Sequence, residues 1–184
     1  MKLLNLVAMM TLSTSLFAAI PQNPIEKIKD YQNHVQNLLN KNYAALATID
    51  NEGYPKQRML YISDITKEGF VFHTDGNSDK VKEFSNNKNV SMLFIFQIGK
   101  DVMQINARGQ IKFIAYIQSK HYRPEYDEKY GEYIFQPKTI KFTMTDSLQR
   151  EKNFFNYQHE LYELKNGQWQ MHHWSKTQSK YEKK

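Results

Sequence analysis

The stretch LATIDNEGYPKQRMLYISDITKEGFVFHTDGNSDKVKEFSNNKNVSMLF, residues 46–94, decides the fold. YAALATI (43–49) has the short apolar, β-branched character of a strand, DNEG (50–53) that of a turn, and PKQRMLYIS (55–63) returns as a second strand. DITKEG (64–69) turns the chain again into FVFHT (70–74). Gly53 and Gly69 are expected to supply backbone angles that side chains resist. Ser78 reads as the N-cap of a short helix carrying Val81 and Phe84, and NVSMLFIFQ (89–97) is a strongly apolar strand.

Upstream, NPIEKIKDYQNHVQNLLNKN (23–42) reads as an amphipathic helix. Asn23 is the cap, Pro24 suits the first helical position and Glu26 completes a capping-box spacing; Ile25, Ile28, Tyr31, Val35, Leu38 and Leu39 form one stripe. Downstream, QIGKD turns into VMQINARGQIKFI (102–114), residues 116–130 read as helical, and TIKFTMT, FNYQHELYEL and QWQMHHW are the last strands. Asn166-Gly167 between the final two is a hairpin signal. Six or seven strands joined mostly by short turns imply a mainly β fold with a few helices, an antiparallel barrel. With 12 Tyr, 11 Phe and 2 Trp, the composition suits pleated sheets.

The 184 residues are expected to form one folded unit, with an N-terminal helix over 20–42, a barrel over 43–175 and a basic tail over 176–184. Residues 1–19 place Lys2 before an apolar run ending in small residues, the pattern of a secretory signal peptide. Export to the periplasm or medium is therefore expected, with no stable membrane anchor after cleavage; a cytoplasmic protein is the alternative.

The absence of cysteine excludes zinc fingers, iron–sulfur clusters, disulfides and thiol catalysis. The net charge of +6 is concentrated partly in SKTQSKYEKK (175–184), a solvated tail; no Arg/aromatic module points to nucleic acid. His172 and His173, adjacent on a strand, point to opposite faces, so no metal site is expected. Neither a nucleophile elbow nor a P-loop is present, which disfavours a hydrolase.

Residues 46–94 also resemble the core of the pyridoxamine 5'-phosphate oxidase family: an "LATVD..G.P..R.VLLK" hairpin, then "GFVFYTN..S.K", then "L..NP...LLF". Fainter similarity continues through QINARG, IKF and NGQW, so the resemblance covers roughly residues 43–174. It implies an FMN-binding split β-barrel, a homodimer with the cofactor at the interface, and oxidoreductase chemistry on a small molecule.

Carried onto this sequence, the resemblance puts Arg58, Ser78 and Lys80 at the FMN phosphate. Those types suit a dianion: Arg as a planar fork, Lys as a point charge, Ser and the helix start as hydrogen-bond donors. Met59, Leu60, Tyr61 and Ile62 match the strand that lies against the flavin, mostly through backbone groups, and His73-Thr74 match a "YT" pair. Gln104 matches a side chain at the flavin edge, with an ordinary outward-facing polar residue as the alternative. Arg123 and His159 are the weaker substrate-side matches.

The departures bear on function. Ser63 stands where the family has a ligand-gripping lysine, Asp79 replaces the arginine of "SRK", and the two arginines of "R.HDR" are missing from NYQHELYEL. The expectation is an FMN-binding, oxidoreductase-like protein, not a true pyridoxamine phosphate oxidase. No catalytic side chain is assigned. The alternative is a non-catalytic protein of the same fold binding flavin, haem or another small ligand.

Overall fold

A computed structural model of the chain describes residues 23–117, 130–145 and 155–179. The signal-peptide reading of 1–19, most of the helix read over 116–130, Arg123 and the end of the basic tail lie outside them. The fold is mainly β, with helices α1 (Pro24–His34) and α2 (Asp79–Asn86). The strands are β1 (Gln36–Asn37), β2 (Tyr43–Ile49), β3 (Pro55–Tyr61), β4 (Asp64–Ile65), β5 (Phe70–Asp75), β6 (Val90–Ile98), β7 (Asp101–Tyr116), β8 (Tyr130–Thr145), β9 (Phe155–Lys165) and β10 (Gln168–Ser179).

The antiparallel sheet runs β10-β9-β8-β7-β6-β2-β3, with β5 on β8. The first half of β8 pairs with β5 (Phe70↔Phe135) and the second half with β9 (Thr139↔Glu163). Pro137 sits at this change of partner, opposite Gly109, where a missing N–H is tolerated. Ser63 N–H donates to Val71 O (2.8 Å) and carries the chain from β3 to β5, rounding β2, β3, β5, β8, β7 and β6 into a split barrel. Its interior is aromatic: Phe70, Phe72, Phe94, Phe96, Phe135 and Phe142 are fully buried.

The hairpin turns follow their residues. Asp50 Oδ1 accepts from the amides of Glu52 and Tyr54, and Gly53 takes φ +88. Asn166 (φ 52) and Gly167 (φ 77) form the turn between β9 and β10.

Three expectations are corrected. α1 ends at His34, and the next residues pair with β6, leaving Leu38 46% exposed off the predicted stripe. Asn40 and Asn42, both at positive φ, make that exit possible. Residues 130–138, not read as strand, belong to β8. Gly69 does not have a positive φ; a Cβ there would instead collide with the carbonyl of Phe135. Gly69→Ala is therefore expected to lower stability by about 2–3 kcal/mol, as overpacking against backbone does, read as the fall in unfolding free energy in urea.

Candidate functional site

β5 delivers Thr74 inward, only 6% exposed, and stops at Asp75. The turn into α2 is held by Asp75: its carbonyl accepts from Ser78 Oγ (2.7 Å) and Ser78 N–H (3.1 Å), and its carboxylate accepts from the Asn77 amide (2.8 Å). Ser78 thus stands at the N-cap as expected, but its hydroxyl donates back into the turn and does not cap the helix. One turn of geometry later, Lys80 Nζ reaches back to Thr74 Oγ1 at 2.8 Å. Burial, and then the neighbouring Arg58 cation, push the Lys80 ammonium below its ordinary pKa, with Asp75, Asp79 and Glu83 pulling the other way. Arg58 is ion-paired to Glu83, three residues beyond Lys80 on α2, which places the two cations within electrostatic reach of each other.

Arg58, on the inward phase of β3 with Leu60, is fixed by a partner the sequence did not advertise. Its Nη2 donates to Glu83 Oε2 at 2.5 Å and to Thr48 Oγ1 at 3.1 Å, while the Thr48 hydroxyl donates to the same carboxylate oxygen at 2.5 Å. Lys56 adds a looser contact at 3.7 Å. Glu83 is 4% exposed. Burial alone would raise its pKa, but the Thr48 hydroxyl, Arg58 and Lys56 outweigh that and hold the carboxyl below its usual range. The clue lay in β2: Ala44, Leu46 and Thr48 share the core phase, and a buried hydroxyl there requires a polar partner. No Nη1 or Nε bond of Arg58 is made to a described residue, so part of the fork stays available to an anion.

Asp79, the residue that threatened an anion site, turns away: its side chain is 82% exposed and lies 3.5 Å from Lys82. An open cavity of about 270 Å³ on that side is lined by Asp50, Glu52, Asp79 and Glu83 against Lys56 and Lys82. Its carboxylates make it a poor place for a phosphate.

Other predicted residues lie elsewhere. Along β3, Leu60 points into the core with Ile62 beyond it, while Met59 and Tyr61 face out at 45% and 52% exposure. The Ile62 amide is occupied by Asn42 O (2.7 Å), and Ser63 Oγ donates to Val71 O (3.1 Å). β3 ends the sheet path, so its far edge has no strand partner among the described residues. The His73 side chain is on the opposite face of β5 from Thr74, with Nε2 2.9 Å from Glu132 Oε2; only its backbone is continuous with the Lys80 cluster. Gln104 is exposed on β7, and register places it beside Thr143, which is beside position 159 on β9. Register thus brings positions 104 and 159, both singled out from sequence, to either side of Thr143, and Gln104 is on the outward phase of β7, opposite to the inward phase that Arg58 takes on β3.

The sequence and the fold have relatives among known proteins. The family model described as Pyridoxamine 5'-phosphate oxidase matches residues 32–151. A pyridoxine/pyridoxamine 5'-phosphate oxidase of Pelagibacter ubique is 29% identical over 122 residues, 64% of this chain and 58% of that protein. The Psychrobacter cryohalolentis enzyme is 29% identical over 140 residues, 72% of this chain and 62% of that protein. In both cases the match spans less than two-thirds of the relative. The crystal structure of PhzG from Burkholderia lata 383, in complex with tetrahydrophenazine-1-carboxylic acid, superposes with a TM-score of 0.63 at 17% identity, covering 88% of this chain and 95% of that one. A pyridoxamine 5'-phosphate oxidase-related, FMN-binding protein of Nostoc punctiforme superposes with a TM-score of 0.56 at 14% identity, covering 85% and 97%. At these identities the likeness is one of fold.

Proposed function

The chain belongs to the pyridoxamine 5'-phosphate oxidase family, and from that premise we propose that it binds FMN, with Arg58 and Lys80 holding the phosphate. One observation carries this reading: Arg58 on β3 is ion-paired to Glu83 on α2, three residues along the helix from Lys80, so cations from two elements stand where an anion would be favoured by both. The first amides of α2, which a helix leaves without intrahelical acceptors, add donors there. Thr74 orients the Lys80 ammonium, and Glu83 with Thr48 orients the Arg58 fork. The open edge of β3 beside Met59 and Tyr61 offers backbone groups to a flat ring.

FMN, when bound, supplies hydride or electron transfer. The substrate is not that of the family's oxidases in this reading: Ser63 has its hydroxyl closed on Val71 O, and no arginine stands beside His159. The same two facts favour, as a second reading, a flavin-binding protein without turnover. We further propose a homodimer, in which the outward phase of β7 that carries Gln104 in one copy faces the flavin of the other.

The test is a titration of the full chain with FMN and with riboflavin, which lacks the phosphate. FMN should bind at least tenfold more tightly, since one charge-assisted hydrogen bond contributes about 1.5–3 kcal/mol. Equal affinities would refute the phosphate role. Bleaching by a reductant and recovery in air separate the redox reading from the silent one.

The pH dependence has a definite sign. An anion favours the charged ammonium, so it raises the Lys80 pKa from its depressed value in the free protein. FMN affinity is then flat at neutral pH, where the phosphate is already ionised, and falls as pH rises through the free-protein value. That fall begins below the ordinary lysine value of 10.5. Titrations between pH 7 and about pH 10 read it out, and riboflavin affinity should not follow.

A further inference from the structure

A groove lies on the opposite face of the β2–β3 hairpin, lined on those strands by Ala47 and Gln57. β7 and β8 lose register between Arg108 and Gly109: Arg108 pairs with Thr139 and Gly109 with Pro137, so Lys138 has no partner. Lys138 is the extra residue of a β-bulge. In a regular strand Lys138 and Thr139 would face opposite ways, but here both line one groove. The bulge coincides with the point where β8 leaves β5 for β9, and with the close approach of Gly109 to the carbonyl of Gln136.

The groove has a volume of about 650 Å³, within the range of small-molecule sites. Ala47, Ile49, Pro55 and Val90 give it apolar walls. Arg108 and Lys138 stand on its rim. Thr139 Oγ1 accepts from Arg108 Nε at 3.3 Å, which orients the guanidinium. Among the described residues neither cation has a carboxylate partner. The acid on the same row, Glu163, is held by Lys165 at 2.8 Å and His172 at 3.3 Å.

We propose that this groove binds a compact organic anion, an apolar body carrying one carboxylate, sulfonate or phosphate that Arg108 and Lys138 engage together. The bulge creates the site by turning a lysine toward an arginine across an apolar trough. Nothing in it depends on FMN, whose proposed phosphate cations do not line the groove.

The probe is 8-anilinonaphthalene-1-sulfonate, an aromatic body with one sulfonate, added to the full chain at low salt. The expected result is saturable fluorescence at one site per chain, weakened tenfold or more in the Arg108→Ala/Lys138→Ala double variant. The far-ultraviolet dichroism and FMN titration of that variant should be unchanged. N-phenyl-1-naphthylamine, which lacks the sulfonate, should not distinguish the two proteins, and added salt should weaken only the sulfonate probe. Absence of saturable binding, equal binding by the double variant, or an equal loss with the neutral probe overturns the proposal. Arg108→Lys, which keeps the charge, should retain most of the binding; if it loses as much as the double variant, paired charge is not what the groove reads.

Discussion

Lys80→Ala is expected to weaken FMN binding by about 10- to 150-fold and to leave riboflavin binding within roughly twofold, the spread following from 1.5–3 kcal/mol for a charge-assisted hydrogen bond. Lys80 is the cleaner of the two cations to remove. Its side chain bonds only the neutral hydroxyl of Thr74 among the described residues, so its loss leaves no buried charge behind and relieves the cost of burying an ammonium beside Arg58. Stability should fall by only about 1 kcal/mol while affinity collapses, since the relieved charge burial offsets part of the cost of leaving the buried Thr74 hydroxyl unpaired. Arg58 is different, because truncating it strands Glu83. Arg58→Lys tests it better: the variant keeps a positive charge against Glu83 and loses the fork that can serve the carboxylate and an anion together. Its FMN affinity should fall while its fold persists. Isothermal titration with both flavins reads each variant. If Lys80→Ala weakens FMN and riboflavin alike, the ammonium supports the fold of the turn and not the phosphate.

What could be read from the sequence was whatever repeats along one strand or closes one turn. β2, its Asp50–Gly53 turn and β3 follow from a seven-residue strand, a glycine and a returning strand, and the observed limits fall within two residues of those expected. A shared anion for Arg58 and Lys80 is suggested only by the family resemblance, since residues 58 and 80 sit on separate elements and no local rule joins them. Glu83 was missed because helix α2 shows polar residues on most of its turns, and a glutamate between Lys82 and Phe84 looks solvated. Its burial is decided by Thr48, 35 residues away. The first half of β8 was missed for another reason. YIFQPK contains a proline and follows a polar stretch, both signs against a strand, and only the exchange of β5 for β9 at Pro137 makes the proline harmless. His73 shows the limit of motif matching: its backbone position fits, but strand alternation sends the ring to Glu132.

Glu83→Ala should destabilise the protein by on the order of 3 kcal/mol, because it leaves the Arg58 guanidinium and the Thr48 hydroxyl without their shared acceptor. The lower end of the range for a broken buried pair applies, since the Arg58 side chain is 22% exposed and water can reach it. Glu83→Gln should cost less at neutral pH, as its amide oxygen still accepts from both donors. The pH dependence separates charge from shape. The folded-state pKa of Glu83 lies below the ordinary 4.5, so its contribution is fully present above the unfolded-state value and is lost as pH falls through the depressed folded value. The stability gap between the native chain and Glu83→Gln should thus be constant at neutral pH and narrow below about pH 4.5. Urea unfolding of the three proteins across that window decides it. A gap that does not change with pH would mean that the carboxylate acts by its shape alone. The two variants should also part on the anion. Glu83→Gln removes a competing negative charge while keeping the fork oriented, and FMN should bind it more tightly; Glu83→Ala frees the fork to wander, and FMN should bind it less tightly. Opposite signs at one position are what a counter-charge predicts and a packing residue does not.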